Sequence, residues 1–295
     1  MKHVVSATLV ASALALGTTA ASAADMPLKA PPLALVFSWT GGYIGGNIGW
    51  IRGNADYDTV CPALNPNCPL LIPFFAFNSV IPGIGPIITF VPNPFSTLPG
   101  GSASNSSFMG GGQIGYNVQS GHVVFGAEAD LNATHIHTTL TRNAGDFTGF
   151  PPGFFGNVAA TSNFDNDWIG TVRGRLGLAW DRVMLYGTGG IAFAGTTSST
   201  AFVYTPPANA IPAFIQPGPT GASSSQVIAG WTVGVGGEWF VGERVSVGAE
   251  YRHSDFGHQN VALGFDTANA PVSTSIHYTT DQVTLRANWH FDGRP

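Results

Sequence analysis

Apolar and polar side chains alternate along several segments of the sequence, with the period of two that is typical of a β-strand. Eight segments follow this pattern closely enough to predict strands. In the third of them, Val123 and Phe125 fall on one face, and Glu128 and Asp130 fall on the other. Each predicted strand therefore has one apolar and one polar face. The predicted strands are 39–51, 108–118, 122–134, 167–180, 183–195, 226–240, 244–256 and 278–291.

The connections between the predicted strands alternate in length. Short turns follow the second, fourth and sixth strands, at 119–121, 181–182 and 242–243. Long segments follow the other strands, and this alternation indicates an up-and-down barrel with tight turns at one rim and loops at the other. The predicted loops are about 52–107, 135–166, 196–225 and 257–277.

The N-terminus has the features of a secretory signal peptide. Lys2 precedes an apolar run, and Ala21-Ser22-Ala23 fits an A-x-A cleavage site. We therefore expect a cleaved signal peptide at 1–23 and a periplasmic linker at 24–38. Without Lys2 the chain has 10 basic and 16 acidic residues, a net charge of −6, which argues against a nucleic-acid partner.

The composition indicates a surface that does not face water everywhere. Only 9% of the 295 residues are charged, against about 25% in a typical soluble protein. The most apolar run, 69–95, contains prolines that exclude a spanning helix. The sequence thus predicts an all-β fold: an eight-stranded antiparallel up-and-down transmembrane β-barrel at 39–291, with short periplasmic turns, long extracellular loops and a tail at 292–295. A secreted soluble β-protein is the alternative.

Aromatic residues recur near both ends of the predicted strands. Membrane barrels carry aromatic girdles at both membrane–water interfaces. We predict that these residues form the girdles, with core tryptophans of a soluble sandwich as the alternative. The predicted girdle residues are Trp39, Trp50, Trp168, Trp180, Trp231, Trp239, Trp289 and Phe291.

Charged residues fall on the polar face of the predicted strands, and this face would line the lumen. A barrel of eight strands is just wide enough to be filled by side chains. Four acids and four arginines there should pair, because an unpaired buried charge is costly. A plug of salt bridges, a gated narrow pore and a proton or metal relay are the alternatives. The predicted lumen charges are Glu128, Asp130, Arg173, Arg175, Glu238, Glu250, Arg252 and Arg286.

Cysteine and histidine residues mark the predicted loops. Cys61 and Cys68 lie in one Pro-rich loop of an exported chain and are predicted to form a local disulfide, with a metal site as the alternative. Five histidines near the loop rim could ligate haemin iron or a divalent metal, or could simply be solvated. These histidines are His135, His137, His253, His258 and His277.

Three stretches carry a resemblance to a known family: ASAADMPLKAPP, SWTGGYIGGNIGW and YTTDQVTLRANWHF. They resemble the porin-like outer-membrane proteins of alphaproteobacteria, which are related in fold to the outer-membrane protein A barrel and the opacity-type adhesins. The last stretch resembles the terminal signal that the barrel-assembly machinery reads, although Asp292–Pro295 follow it here. The resemblance implies a surface antigen that supports envelope integrity. Some members of the family are described as narrow pores and some as haemin-binding.

These observations predict a non-enzymatic protein of the outer membrane with no cofactor. A narrow porin and a surface protein that binds haemin or another ligand are the alternatives. His253, Ser254 and Asp255 would alternate between faces and cannot form one catalytic constellation on a regular strand. The expected partners are outer-membrane lipids, lipopolysaccharide and the assembly machinery. The apolar, Pro- and Phe-rich loops could add a surface partner or self-association.

Overall fold

The described residues form mainly long strands. The computed structural model describes residues 37–58, 71–81, 85–92, 100–144, 157–205, 222–265 and 271–291. In this part of the chain, no helix has the length and apolar character needed to cross a bilayer. The strands are β1 (Gly41–Tyr57), β2 (Leu71–Ile81), β3 (Gly85–Pro92), β4 (Gly101–Ser120), β5 (Val123–Ala144), β6 (Asn157–Trp180), β7 (Val183–Thr205), β8 (Ala222–Phe240), β9 (Val245–Phe265) and β10 (Pro271–His290).

Eight of these strands close into one antiparallel barrel in the order β1-β10-β9-β8-β7-β6-β5-β4. β1 closes the ring, because it pairs with β10 on one side and with β4 on the other. β2 and β3 form a separate two-stranded sheet within the first predicted loop. The predicted eight-stranded up-and-down barrel is confirmed.

Tight turns connect the strands at one rim. Gly121 has a φ of 60° and Asp181 a φ of 52°. Both residue types adopt this left-handed conformation more readily than most others, which allows the chain to reverse within two residues. The third short connection, at 241–244, joins β8 to β9.

The two faces of the barrel follow the period-two pattern. Along β6, Val172, Leu176 and Leu178 are exposed on the outer wall, whereas Arg173 and Arg175 are buried in the lumen. Such an outward apolar wall suits contact with lipid, because hydrocarbon makes no hydrogen bonds to polar groups. The alternation read from the sequence therefore corresponds to an outside and an inside.

The strands continue well into the predicted loops. β5 ends at Ala144 rather than near 134, and β6 begins at Asn157 rather than near 167. The extensions are rich in threonine, serine and asparagine on both faces. Without an apolar outer face their alternation is weak, and this is why the loop boundaries drawn from the pattern differ from the structure.

The barrel wall divides at its long-loop end. Among the described residues, ladder pairs between β4 and β5 begin at Met109↔Thr134, and those between β8 and β9 begin at Trp231↔Asp255. Beyond these pairs, β9-β10-β1-β4 and β5-β6-β7-β8 continue as two four-stranded groups. Register shifts between Ala133 and Ile136 of β5 lie at the same level. Bulges of this kind bend a strand, which favours the separation.

Several predicted features lie outside the described residues. They include the signal peptide, most of the linker that follows it, the Cys61–Cys68 pair and the tail from Asp292. The central parts of the long loops are also outside this range. These features remain predictions.

Candidate functional site: a charged lumen between two apolar seals

Arg173 is the centre of a charge network in the lumen. Its Nη2 donates to Glu128 Oε1 at 2.6 Å and to Asp130 Oδ2 at 3.0 Å. Its Nη1 forms an ion pair with Glu250 and donates to Thr188 Oγ1 at 3.1 Å. One guanidinium from β6 thus links carboxylates from β5 and β9.

Two further arginines extend this network around the wall. Arg252 donates to Asp130 Oδ2 at 2.8 Å. Arg286 donates to Glu250 Oε2 at 2.8 Å and forms an ion pair with Glu128. Each of the three carboxylates therefore contacts at least two guanidinium groups, so the charges in this layer compensate one another.

Arg175 and Glu238 form a second group nearer the short-turn end. They are an ion pair in which both side chains are completely buried. The guanidinium carbon of Arg175 lies 3.6 Å from the ring centroid of Tyr186, a cation–π contact. Glu238 also accepts from Ser246 Oγ at 2.5 Å and from Asn288 Nδ2 at 2.7 Å.

All eight predicted lumen charges lie inside the barrel and are at most 7% exposed. Six of them form one set of linked ion pairs, and the other two are the Arg175–Glu238 pair beside it. The cavity left between them has a volume of about 10 Å³, which is room for about one water molecule. The lumen is therefore filled by side chains at this level.

Apolar side chains close the lumen on both sides of the charged layer. Toward the short turns, the ring of Phe240 packs against those of Phe37 and Trp39, with centroids 4.3 Å apart in both pairs. Toward the long loops, Phe164 packs on Tyr278 at 4.7 Å. We call these clusters the inner seal and the outer seal. The inner seal is Phe37, Trp39, Val124, Ala179, Met184, Tyr186 and Phe240. The outer seal is Ile51, Ala55, Tyr57, Met109, Ile136, Phe164, Ile169, Ala192, Ala194, Ile228, Phe256, Ile276 and Tyr278.

Seven of the eight predicted girdle residues lie on the outer wall. At the long-loop end, Trp50 and Trp231 are 58% and 50% exposed, and the ring of Trp50 packs against that of Phe108 at 6.2 Å. Trp168, half-buried, lies at the same end. The remaining four, at the short-turn end, are Trp180, Trp239, Trp289 and Phe291.

The prediction that Trp39 is a girdle residue is wrong. Its side chain is 1% exposed and lies in the inner seal. Trp39 Nε1 donates to Asp181 O at 3.1 Å, and Gly41, with a φ of 138°, bends the chain between Trp39 and β1. Trp39 and Trp50 stand an odd number of positions apart, so one strand cannot present both to lipid. The odd spacing of the two tryptophans is visible in the sequence.

The five predicted ligand histidines lie on the outer side of the barrel in two separate places. His135 and His137 are on β5, whereas His253 and His258 are on β9 beside His277 of β10. Three of them already bond to carboxylates: His137 to Asp165 at 2.5 Å, His253 to Asp281 at 2.9 Å and His277 to Asp255 at 3.0 Å. The rings of His258 and His277 stack at 4.8 Å. Within the described residues, no group of three or more His, Cys, Asp or Glu side chains is arranged to hold a metal ion.

Sequence reasoning missed several uncharged lumen residues. Tyr43 donates its hydroxyl to Glu128 Oε2 at 2.6 Å, and Tyr186 donates to Glu250 Oε2 at 3.0 Å. His290 Nε2 lies 2.9 Å from Ser246 Oγ. Ser246 shares the parity of Glu250 on β9, and His290 shares that of Arg286 on β10, so parity could have identified these two. Tyr43 and Tyr186 had no such signal, because no lumen charge lies on β1 or β7.

The whole barrel matches one family model. The outer membrane protein beta-barrel domain matches residues 11–291. The chain belongs to this family. One relative is the 31 kDa outer-membrane immunogenic protein of Brucella melitensis biotype 1. It is 30% identical, and the match covers 94% of this chain and 97% of the relative. The 22 kDa outer membrane protein of Rhizobium leguminosarum bv. viciae is 28% identical over 57% of this chain and 66% of the relative.

The chain also resembles solved outer-membrane barrels. Neisserial surface protein A is 11% identical, with a TM-score of 0.31, and the match covers 83% of this chain and 97% of that one. The outer membrane protease OmpT from Escherichia coli is 12% identical, with a TM-score of 0.43 and coverage of 88% and 99%.

Membership of the family places the protein in the outer membrane. In such barrels the short turns face the periplasm and the long loops face the outside. The inner seal is therefore at the periplasmic end of the lumen, and the outer seal lies on the extracellular side of the charged layer. The predicted location in the outer membrane is confirmed.

Proposed function

We propose that this outer-membrane barrel is a non-enzymatic envelope protein that anchors extracellular loops and supports the integrity of the membrane. The observation that carries the proposal is the filled lumen. A layer of compensated charges with a cavity of about 10 Å³ lies between two apolar seals. A barrel of this kind acts through its walls and its loops.

The filled lumen argues against the alternative of a narrow porin. A permeating solute would have to displace Trp39 and Phe240 at one end and Phe164 and Tyr278 at the other. It would also have to separate ion pairs such as Arg175–Glu238. Separating a buried ion pair leaves uncompensated charges and costs several kcal/mol.

The outer wall supports lipids as the main partners. Leu131, Val235 and Leu285 are each more than 60% exposed on this wall, and tryptophans stand at both of its ends. Trp289 and Phe291 also project outward from the end of β10. Their position fits recognition by the barrel-assembly machinery and contact with lipopolysaccharide, both of which we include in the proposal.

The side chains that came nearest to a catalytic motif do not converge. Ser254 points into the lumen and donates its hydroxyl to Thr232 Oγ1 at 2.9 Å. His253 and Asp255 point outward and bond to Asp281 and His277, respectively. This divergence supports a role without catalysis or cofactor. Haemin binding keeps no specific support, because three of the candidate histidines are engaged with carboxylates.

Display of the loops is supported by a relative. The Brucella protein is named an outer-membrane immunogenic protein, a name that fits a protein exposed at the cell surface. Strands β5, β6 and β7 carry the connecting segments well beyond the outer girdle. We infer that the loops of this chain are likewise displayed, for a surface partner or for self-association.

Two measurements test this function. The refolded mature protein in planar bilayers should give no single-channel steps, and reproducible steps would support the porin instead. A deletion strain should become sensitive to detergents and large antibiotics. Complementation by the wild type, and by a variant with segment 206–221 shortened, then separates anchoring from display. Integrity restored by both, with surface recognition lost only in the shortened variant, is the expected result.

A further inference from the structure

One buried arginine stands apart from the lumen charges. Arg142 lies on β5 well beyond Ala133, the residue that pairs with Trp168 of the outer girdle. Its side chain points inward and is 4% exposed. Ser162 of β6 pairs with Leu140, and Thr200 of β7 pairs with Ser162, so both lie two positions from the level of Arg142 on the same inner wall. Tyr57 of β1 approaches from the opposite group of strands.

The hydrogen bonds of Arg142 are incomplete. Nη2 donates to Ser162 Oγ at 3.2 Å, and the guanidinium carbon lies 5.2 Å from the centroid of the Tyr57 ring. Nε and Nη1 are buried and have no hydrogen-bond partner among the described residues. The hydroxyl of Tyr57 is also buried without a partner. Ser162 Oγ lies 3.1 Å from Thr200 Oγ1. Several donors therefore converge without an acceptor for them.

The other buried arginines are different. Arg173, Arg175, Arg252 and Arg286 each form at least one ion pair with a carboxylate. Among the described residues, no carboxylate forms an ion pair with Arg142, since the nearby Asp165 pairs with His137 on the outer side. A buried cation without a counter-charge is unfavourable.

The protonation states of Arg142 and Tyr57 also leave donors in need of an acceptor. Burial lowers the pKa of Arg142, and only Tyr57 opposes this effect. A guanidinium nevertheless stays protonated in proteins. Burial raises the pKa of Tyr57 to about 12, against the influence of Arg142. The phenol is thus a neutral hydroxyl that can donate. Within the described part of the chain, these donors have no negatively charged acceptor.

We propose that Arg142, Ser162, Thr200 and Tyr57 form a binding site for an oxyanion, a phosphate or sulfate group. The free N–H groups of Arg142 donate charge-assisted hydrogen bonds to it, which are about twice as strong as neutral ones. The hydroxyls of Ser162, Thr200 and Tyr57 complete its coordination. This site lies outside the membrane-spanning wall and adds a ligand to the proposed loop-displaying barrel.

The division of the barrel wall gives such a ligand a route. Arg142 lies on the part of β5 that makes no ladder pairs with β4 within the described residues. There the two strands are joined through a side chain, as Asn105 Nδ2 donates to His137 O at 2.6 Å and Asn105 is exposed. A side-chain bridge can open without breaking a continuous ladder.

The test measures the thermal midpoint of the full mature barrel in detergent. Inorganic phosphate or sulfate is compared with chloride at equal ionic strength. Phosphate should raise the midpoint of the wild type, because a ligand that binds the folded state stabilises it. Arg142→Gln should weaken this binding by about tenfold or more. Tyr57→Phe, which removes only a hydroxyl, should weaken it less.

A matched control separates the site from general charge effects. Arg52 is exposed on the extracellular part of β1, where it donates to Ser104 Oγ at 3.1 Å. Arg52→Gln should keep the full response to phosphate. In chloride, Arg142→Met should have a midpoint at or above that of the wild type, because it removes an uncompensated charge. This measurement in chloride shows that the barrel folds without the arginine at position 142.

Two results would overturn the proposal: no phosphate or sulfate response in the wild type, or an equal response in the wild type and Arg142→Gln. If the wild type responds and Arg142→Gln does not, the same measurement is repeated with a sugar phosphate. It shows whether the bound phosphate is a free anion or part of a larger molecule. A response to inorganic phosphate alone assigns the site to a free anion. A response to the sugar phosphate as well assigns it to a phosphate group carried on a glycan or a lipid headgroup.

Discussion

Glu128 and Arg286 form an ion pair across the lumen, although they are 158 residues apart in the sequence. The pair joins β5 to β10, two strands that are not neighbours in the barrel. It therefore ties opposite parts of the wall together through the interior. The stability of the barrel should depend on such pairs as well as on the hydrogen-bonded ladders.

A double-mutant cycle with Glu128→Gln and Arg286→Met should give a coupling energy of about 2 kcal/mol, because residues in one ion-pair network do not act additively. The measurement is the free energy of unfolding of the refolded barrel in detergent or lipid. A cycle of Glu128→Gln with Arg182→Met, an exposed residue of the β6–β7 turn, should give a coupling within about 0.5 kcal/mol of zero. Equal coupling in both cycles would contradict a direct interaction.

Arg173→Met should destabilise the barrel by about 3–5 kcal/mol, since it removes a buried partner of three carboxylates. We expect slower refolding and a smaller heat-modifiable fraction on gels. The control Arg244→Met, an exposed residue between β8 and β9, should change the free energy by no more than about 0.5 kcal/mol, as exposed substitutions usually do. A fully stable Arg173→Met barrel would show that the charges can rearrange, as in a gated pore.

Gly190 and Gly174 form a matched pair on neighbouring strands. A Cβ at Gly190 would lie 2.7 Å from Arg173 Cα, whereas a Cβ at Gly174 would meet nothing nearer than Gly189 O at 3.8 Å. Gly190→Ala should therefore cost about 1–3 kcal/mol through overpacking, and Gly174→Ala should be nearly neutral. Unfolding in urea measures both. Similar stability of the two variants would refute the close packing at the Arg173 level.

Trp39 and Trp239 should differ in their contact with lipid. Both lie toward the periplasmic end, but Trp39 is 1% exposed and Trp239 is 55% exposed on the outer wall. In variants that retain one tryptophan, brominated lipid should quench the fluorescence of Trp239 strongly and that of Trp39 weakly. Strong quenching of Trp39 would show that its side chain contacts lipid, and would contradict its place in the inner seal.

Much of the architecture could be read from local pattern. The parity of Arg173 and Arg175 against Val172 and Leu176 separates lumen from lipid, because successive side chains of a strand point to opposite faces. The alternation of short and long connections specifies the up-and-down order. The pattern is lost where the outer face of a strand no longer contacts lipid. Beyond the outer girdle the outer face of the strands is polar, so the alternation weakens and the pattern predicts loops where β5, β6 and β7 continue.

The candidate sites depend on distances that no local pattern contains. Parity puts Glu128, Arg286 and Arg173 inside, but only the closure of β1 against β10 and the stagger of the strands decide that these side chains meet. The same is true of Arg142, whose polar neighbours come from three other strands. Trp39 is placed by the bend at Gly41. The period of two is a property of each strand alone, whereas the ion pairs, the two seals and the burial of Arg142 arise when eight strands enclose a common interior.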